Sequence, residues 1–370
     1  MSLQYRAAVL HAAQTPMSIE TVTAAALKPT DVLVRIRAAG LCHTDLEVID
    51  GALRYPMPIV LGHEAAGIVE QVGPAARGVR AGDHVVLSWN PHCGQCFYCD
   101  RDAPILCEEY LGKGPKAVSF DGDARAALAD GRDVQQLMFL GSFGEYCIVS
   151  DQQAIPVPKE IPFDRACLIG CGVMTGVGAA LNLGAIAHGD RVMVIGCGAV
   201  GLAAVQGARL AGAGTIIAVD LDPAKLALAV KMGATHGVDA RTEDAVAAAK
   251  RETSNRGVDV VIEAAGSASA FRVTTEAVRP GGQVIWLGKI DVAKDVSFRW
   301  GSLMQEKRIR RVSYGNARPR RDFPLLARAY LDGKLMLDQL ISRRIKLEEI
   351  NEGFAALKRG ETIRSVIMFG

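Results

Sequence analysis

The run Gly196-Cys-Gly198-Ala199-Val200-Gly201 constrains this chain most. It stands between an apolar strand, Val192–Ile195, and an Ala-rich helical stretch that continues to about Ala211. Alone, a Gly-x-Gly-x-x-Gly is weak evidence, but after a strand and at the opening of a helix it specifies a dinucleotide turn. The glycines permit the tight turn, the close approach of a pyrophosphate and helix–strand packing. The helix start then presents free N–H groups and partial positive charge to the phosphates. Gly196, Gly198, Ala199, Val200 and Gly201 are therefore candidate cofactor-binding residues. The alternation continues with a strand at Ile216–Val219, a helix over Pro223–Met232, a strand at Val258–Ile262, another helix, and a strand at Gln283–Leu287. This pattern predicts an α/β protein containing a doubly wound parallel sheet of the Rossmann type.

Asp220 closes the second of these strands. A carboxylate there accepts hydrogen bonds from the adenosine ribose and repels a 2′-phosphate, which predicts NAD over NADP. The competing role is a helix N-cap. Asp222, just before Pro223, is the better cap and leaves Asp220 for the ribose. Lys225, one turn into the next helix, reads equally as a ribose contact or as a solvated lysine.

Four cysteines, Cys93, Cys96, Cys99 and Cys107, are close enough in sequence to converge on one tetrahedral ion at about 2.3 Å each. An iron–sulfur cluster also takes four thiolates. A redox pair or a disulfide needs only two. The expectation is a closed zinc site that staples a lobe and leaves no coordination position for chemistry. Three further segments carry soft or imidazole ligands: Gly40-Leu-Cys42-His43-Thr44-Asp45, Gly62-His63-Glu64 and Gly170-Cys171-Gly172. Cys42, His63 and Cys171 together would make a three-ligand zinc site with an open fourth position. Spacing does not establish that they meet, and each alone also suits a buried core residue.

The 370 residues are too many for one ordinary core, so two domains are expected. A net charge of +2 gives no electrostatic case for nucleic acid or a membrane surface. Nine cysteines, most at ligand spacing, point to a reducing cytoplasm rather than a secreted scaffold. The start Met-Ser-Leu-Gln-Tyr-Arg is no signal peptide. Apolar stretches such as Val192–Ile195 are too short to span a bilayer. To about residue 170, short apolar runs broken by Gly and Pro predict an all-β body with strands at Val32–Ile36, Ile59–Leu61, Ile68–Val72 and His84–Leu87. Glu108–Met138 is polar and Gly-rich, a long loop with a helical piece. From about Val312 the pattern loosens, as expected for a return to the first domain.

In this order, Cys42-His-Thr-Asp45, Gly62-His-Glu-Ala-Ala-Gly67, the four-cysteine lobe, Ile169-Gly-Cys-Gly172, the dinucleotide turn, Ile350-Asn-Glu-Gly-Phe354 and Ile363-Arg364 carry a resemblance. Over essentially its full length the chain resembles the zinc-containing medium-chain alcohol dehydrogenases. The resemblance implies a mainly β, GroES-like catalytic domain at 1–172 with its zinc lobe at 93–107. It places an NAD-binding Rossmann domain at 173–313 and a return to the catalytic domain at 314–370. It implies two zinc ions per chain, a catalytic one on Cys42, His63 and Cys171 and a structural one on Cys93, Cys96, Cys99 and Cys107. Cys147, Cys167 and Cys197 match no ligand position.

By the same resemblance, Glu64 lies beside the catalytic zinc, and Asp45 hydrogen-bonds the free ring nitrogen of His63. Zinc acidifies a bound alcohol, from about 16 towards 7, and the alkoxide expels a hydride to the nicotinamide. Thr44 takes the alcohol proton. Many relatives continue the relay with a histidine where this chain has Glu47, a poor proton reservoir at neutral pH. His43 and Arg364 fall at pyrophosphate contacts and Thr175 against the nicotinamide, while Leu53, Trp89 and Phe139 line the substrate pocket. An apolar pocket of this kind suits an aromatic or medium-chain primary alcohol or its aldehyde. Relatives acting on a glutathione–formaldehyde adduct have acidic residues shortly before Gly-His-Glu. Leu53–Ile59 contains none, so that activity ranks second. A redox-neutral aldehyde dismutase with tightly bound NAD is a further alternative. A zinc-stapled nucleotide sensor is the non-enzymatic one, disfavoured because a sensor needs no open zinc. The long segment Glu108–Met138 resembles that of dimeric members. It implies a homodimer paired edge to edge around Val296–Val312, or a dimer of such dimers.

Overall fold

The computed structural model describes residues 3–370. In chain order, β1 (Gln4–Leu10), β2 (Ser18–Ala24) and β3 (Asp31–Gly40) lead into α1 (His43–Ile49). β4 (Ile59–Val60), β5 (Glu64–Val72) and β6 (His84–Leu87) precede the cysteine lobe and α2 (Glu108–Lys113). β7 (Ala126–Ala127), β8 (Asp133–Gln136), β9 (Tyr146–Ser150) and β10 (Ala154–Pro156) follow, then α3 (Phe163–Leu168) and α4 (Met174–Gly178). Next come β11 (Arg191–Ile195), α5 (Ala199–Leu210), β12 (Thr215–Asp220), α6 (Pro223–Lys231), β13 (His236–Asp239), α7 (Ala245–Arg251), β14 (Val258–Glu263), α8 (Ala268–Ala277), β15 (Val278–Trp286) and β16 (Arg308–Arg311). The chain ends with α9 (Pro319–Leu331), β17 (Ile341–Ile345), α10 (Ile350–Lys358) and β18 (Arg364–Met368).

Two compact units result, Met1–Cys171 with Arg318–Gly370, and Gly172–Ala317. In the first, β1, β2, β7, β8 and β4 close a small barrel, and β10, β6, β5, β3, β18 and β17 form a second sheet to which β9 adds beside β3. β3 is central, with β5, β9 and β18 all antiparallel to it. Its burial alternates, with Val32, Val34, Ile36 and Ala38 buried and Leu33, Arg35 and Arg37 half-buried between them, as expected for a strand with one face on the core. Its register sets Gly40 opposite Glu64 on β5. The residues that follow Gly40 and precede Glu64 are thereby neighbours.

The second unit is a parallel sheet ordered β13-β12-β11-β14-β15-β16. The order reverses around β11, the switch point at which doubly wound sheets bind ligands. Met193, Ile195, Ile217, Val219, Val261 and Val284 form part of its core. Glycines allow α4 and α5 to touch. A Cβ on Gly176 would lie 2.2 Å from the Val200 carbonyl oxygen, and one on Gly207 would lie 2.9 Å from the Ala180 methyl.

The structure adds to the expected pattern. The first unit is not all strand before residue 170, because α1, α2 and α3 fall within it. Glu108–Met138 is α2 followed by the β7–β8 hairpin. The helical run Phe163–Leu183, of α turns interrupted by π turns, is long and apolar enough to cross a membrane. Yet 78% of its apolar window is buried within the protein, which makes it a core helix. Apolar nearly all round, it offers no 3.6-residue period to read. The chain leaves the second unit at Ala317 rather than near 313, because Gly315 packs its backbone against Gly178 and the Met174 carbonyl.

Candidate active site and metal centres

The β3–β5 register brings Cys42, His63, Glu64 and Cys171 together, with one ligand atom from each lying within 4.8 Å of the others. Cys42 stands at the start of α1, and Asp45 inside it is fully buried. The Asp45 carboxylate accepts the Cys42 amide (3.2 Å) and the Gly62 amide (2.9 Å) and lies 3.2 Å from His63 Nδ1. This one side chain thus fixes both segments and turns the imidazole so that Nε2 faces the thiols. His63 Nε2 is buried and has no hydrogen-bond partner in the protein. An orphaned ring nitrogen beside two thiols is a donor set that suits zinc, and a Glu64 carboxylate oxygen is the fourth candidate ligand atom of the cluster.

Electrostatics agree with a cation-binding site. Cys42 is drawn well below the ordinary thiol range by its hydrogen bond with Cys171, against burial, and further by Arg364 and His63. Cys171 is pushed well above it by Cys42 and by burial. A metal bound by the two thiols would displace their protons. Burial opposes a charge on His63, but Asp45 and Cys42 outweigh it and raise its pKa well above the usual value. Glu64 is buried beside them, and burial raises it to about 7 against the pull of Arg364. Gly40 makes room for this carboxylate, since a Cβ there would meet Glu64 Oε2 at 2.7 Å.

Arg364, at the start of β18, gives its Nε and Nη2 to Glu64 (3.2 Å each) and Nη2 also to Cys42 Sγ (3.7 Å). Its Nη1 donates to the Ile363 carbonyl (3.2 Å). The structure therefore commits this side chain to Glu64, Cys42 and the Ile363 carbonyl, where the resemblance implied a pyrophosphate contact. His43 is exposed on the first turn of α1, and Thr44 and Glu47, three residues apart on one helix face, are half-buried.

Trp89 and Phe139 are buried and are bridged by Tyr110, with ring centroids 6.1 Å and 5.4 Å away respectively. Phe120 extends the aromatic wall, 5.7 Å from Phe139. Leu53 is half-buried and donates its amide to the Glu47 carbonyl at 3.0 Å. The sequence reading missed Tyr110 and Tyr55. Burial raises the pKa of both hydroxyls, with Tyr55 and Cys171 acting on Tyr110, and Asp45 and Glu47 acting on Tyr55. No local motif announces either residue.

The four Sγ atoms of Cys93, Cys96, Cys99 and Cys107 also lie within 4.8 Å of one another. Cys93 and Cys99 are 4.0 Å apart, near the edge of about 3.8 Å for a tetrahedron with 2.3 Å bonds. That suits one ion better than a multi-iron cluster. Amides aimed at sulfur favour thiolate: those of Glu108 and Cys99 lead in lowering Cys96 to about 6, and the Cys93 amide donates to Cys107 Sγ at 3.3 Å. Cys147, Cys167 and Cys197 are buried thiols that belong to neither cluster.

In the second unit the Gly-rich turn is shaped for a ligand. A Cβ on Gly201 would lie 1.7 Å from the Gly196 carbonyl oxygen, whereas one on Gly198 would meet nothing within 4 Å. Helix and turn are locked together, and the face at Gly198 stays open where a phosphate would approach. Asp222 caps α6 by accepting the Ala224 amide at 2.9 Å. Asp220 accepts the Cys197 amide at 2.6 Å and the Leu221 and Asp222 amides at 2.8 and 3.0 Å. It therefore ties the turn to the end of β12. Lys225 is half-buried and acts on Cys197, which puts its charge near the turn. Thr175 is half-buried in α4.

Comparison with known proteins gives the same outline. Residues 28–159 match the family described as alcohol dehydrogenase GroES-like domain, and residues 199–331 the zinc-binding dehydrogenase family. An alcohol dehydrogenase class-3 from Cereibacter sphaeroides is 35% identical over 99% of this chain and 100% of its own length. An S-(hydroxymethyl)glutathione dehydrogenase from Aspergillus oryzae is 36% identical over 98% of this chain and 95% of its own. The crystal structure of benzyl alcohol dehydrogenase from Acinetobacter calcoaceticus superposes with a TM-score of 0.94 at 32% identity, each chain fully covered.

Proposed function

The chain belongs to the zinc-dependent medium-chain alcohol dehydrogenase family, and on that premise we propose that it oxidises aromatic or medium-chain primary alcohols to aldehydes with NAD, and runs the reverse reaction. The orphaned Nε2 of His63 beside the Cys42 and Cys171 thiols carries this reading. Cys42, His63 and Cys171 would hold one zinc, Cys93, Cys96, Cys99 and Cys107 a second, and the Gly-rich turn NAD. When bound, zinc supplies the Lewis acidity that lowers the alcohol's pKa, and NAD accepts the hydride.

The chain's own residues do the rest. Asp45 orients His63. Glu64, near neutrality in its pKa, stays beside Cys42 under the hold of Arg364. Thr44 accepts the substrate proton, and Glu47 on the same helix face can pass it outward. The wall of Trp89, Tyr110 and Phe139 excludes water and takes a flat, apolar substituent. The solved benzyl alcohol dehydrogenase supports an aromatic substrate.

A second reading, oxidation of S-hydroxymethylglutathione, is supported by relatives of that name. The absence of acid in Leu53–Ile59 and the aromatic wall favour the first. Measuring kcat/KM with NAD for benzyl alcohol and for S-hydroxymethylglutathione decides between them. The expected order puts benzyl alcohol far ahead, and the reverse order would replace the first reading with the second.

The same reading includes a cytoplasmic homodimer. All nine cysteines are free, which supports a reducing setting. β16 is an edge strand, and Trp300, in the turn that precedes it in the chain, is 76% exposed. Arg308, Arg310 and Arg311 are exposed on that strand and would oppose self-pairing at low salt. Light scattering across ionic strength tests the dimer, and a monomer at every salt concentration would remove it.

A further inference from the structure

Building on the NAD-binding reading, we propose that Glu263 is a positioning residue for the nicotinamide half of the cofactor, its buried carboxylate fixing the loops that follow β14 and β15. Glu263 is the last residue of β14 and is fully buried, yet it takes no part in the chemistry described above. Its Oε1 accepts the Ala265 amide at 2.8 Å and the Gly266 amide at 2.6 Å. Its Oε2 is buried without a hydrogen-bond partner and points towards Gly288, where a Cβ would come within 2.5 Å. The Gly288 amide is itself taken by the Glu263 main-chain oxygen at 3.1 Å. Burial raises the pKa of this carboxyl, opposed by the Gly266, Ala265 and Gly288 amides and by Arg311.

The surroundings are unusually close. A Cβ on Gly196 would lie 2.7 Å from the Ala265 amide nitrogen, one on Gly266 2.4 Å from the Lys289 carbonyl oxygen, and one on Gly288 2.4 Å from the Gly266 amide nitrogen. The loops after β11, β14 and β15 therefore stack backbone on backbone, with the Glu263 carboxylate among them. The Glu263 main chain joins the stack too, its carbonyl accepting the Leu287 amide at 2.8 Å, while the Ala264 amide donates to Ile195 at 2.8 Å.

Topology gives this stack its ligand. β12, which ends in Asp220, lies on one side of β11, and β14 and β15 lie on the other. A dinucleotide with its adenosine ribose at Asp220 and its pyrophosphate at the Gly-rich turn must carry its other half across the ends of β14 and β15. Displacing those loops would thus spare the ADP-ribose half and disturb the nicotinamide half. A residue serving only to brace the core would be better apolar, because a half-satisfied buried carboxylate costs stability.

The test is calorimetric titration of the full-length protein with NADH and, separately, with ADP-ribose. Glu263→Leu removes the acceptor and should weaken NADH about tenfold or more, leaving ADP-ribose within about twofold. Glu263→Gln keeps the Oε1 acceptor and should stay close to wild type for both. Gly288→Ala, which pushes a methyl at Glu263 Oε2 and Gly266, should repeat the NADH-selective loss and decides the matter if Glu263→Leu does not fold. Equal losses for both ligands, or unchanged affinities in a folded variant, would overturn the assignment. Failure of the wild type to bind NADH would instead overturn the NAD reading itself.

Discussion

His63 Nδ1 lies 3.2 Å from Asp45 Oδ1, and both side chains are buried. The same carboxylate holds the Cys42 and Gly62 amides, so a single residue sets the position of two of the three ligands to the proposed catalytic zinc. Asp45→Asn should therefore lower zinc affinity at this site, and turnover with it, by about 10- to 100-fold. The four-cysteine site should keep its metal. Zinc titration followed by assay checks this, and an affinity equal to wild type would return Asp45 to a purely local helix role.

The two clusters should fail differently. Wild type should contain two zinc ions per chain by elemental analysis. Cys96→Ser should lose the lobe's metal and lower the unfolding temperature, because a structural zinc contributes directly to folding. Cys171→Ser should unfold near the wild-type temperature and lose nearly all turnover. If both variants lost stability alone, the division of roles would be wrong.

Asp220 carries two duties, and its variant should reveal both. Asp220→Gly should relax the preference for NAD over NADP. It should also weaken both cofactors, since the Cys197 amide loses its acceptor. Removing a charged acceptor from that amide should cost about 1.5–3 kcal/mol, or roughly 10- to 150-fold in affinity. Unchanged selectivity with weaker binding of both would leave Asp220 with only its structural duty.

Thr44 and Glu47 share a face of α1, which fits a two-step proton relay. Thr44→Ala should nearly abolish oxidation, whereas Thr44→Ser should retain much of it. Glu47→Gln should remove or shift one ionisation in the pH dependence of turnover. Superimposable profiles would assign Glu47 to the surface and leave Thr44 as the relay's only side chain.

What could be read in the sequence followed from how local each feature is. The four-cysteine lobe and the Gly-rich turn are each written within one short segment, and ligand spacing or strand–helix context identifies them. Cys42, His63 and Cys171 are each ambiguous alone. Only the pairing of Gly40 with Glu64, and the α3 run that delivers Cys171, bring them together. Asp222 was legible as a cap because capping is local. The double role of Asp220 was not, because its partner Cys197 lies on the loop after the neighbouring strand β11. Tyr110 and Tyr55 depend on how α2 and the loop after α1 fold back. Glu263 is in sequence only the polar end of an apolar strand, because its partners belong to loops whose stacking the tertiary fold creates.

The most direct test of the central claim is NADH formation from benzyl alcohol and NAD, followed by absorbance before and after metal stripping and again after zinc is restored. Steady NADH production by the wild type, its loss on stripping and its recovery with zinc are the predicted results. NADH production that survives complete removal of metal from the Cys42, His63 and Cys171 site would contradict the account.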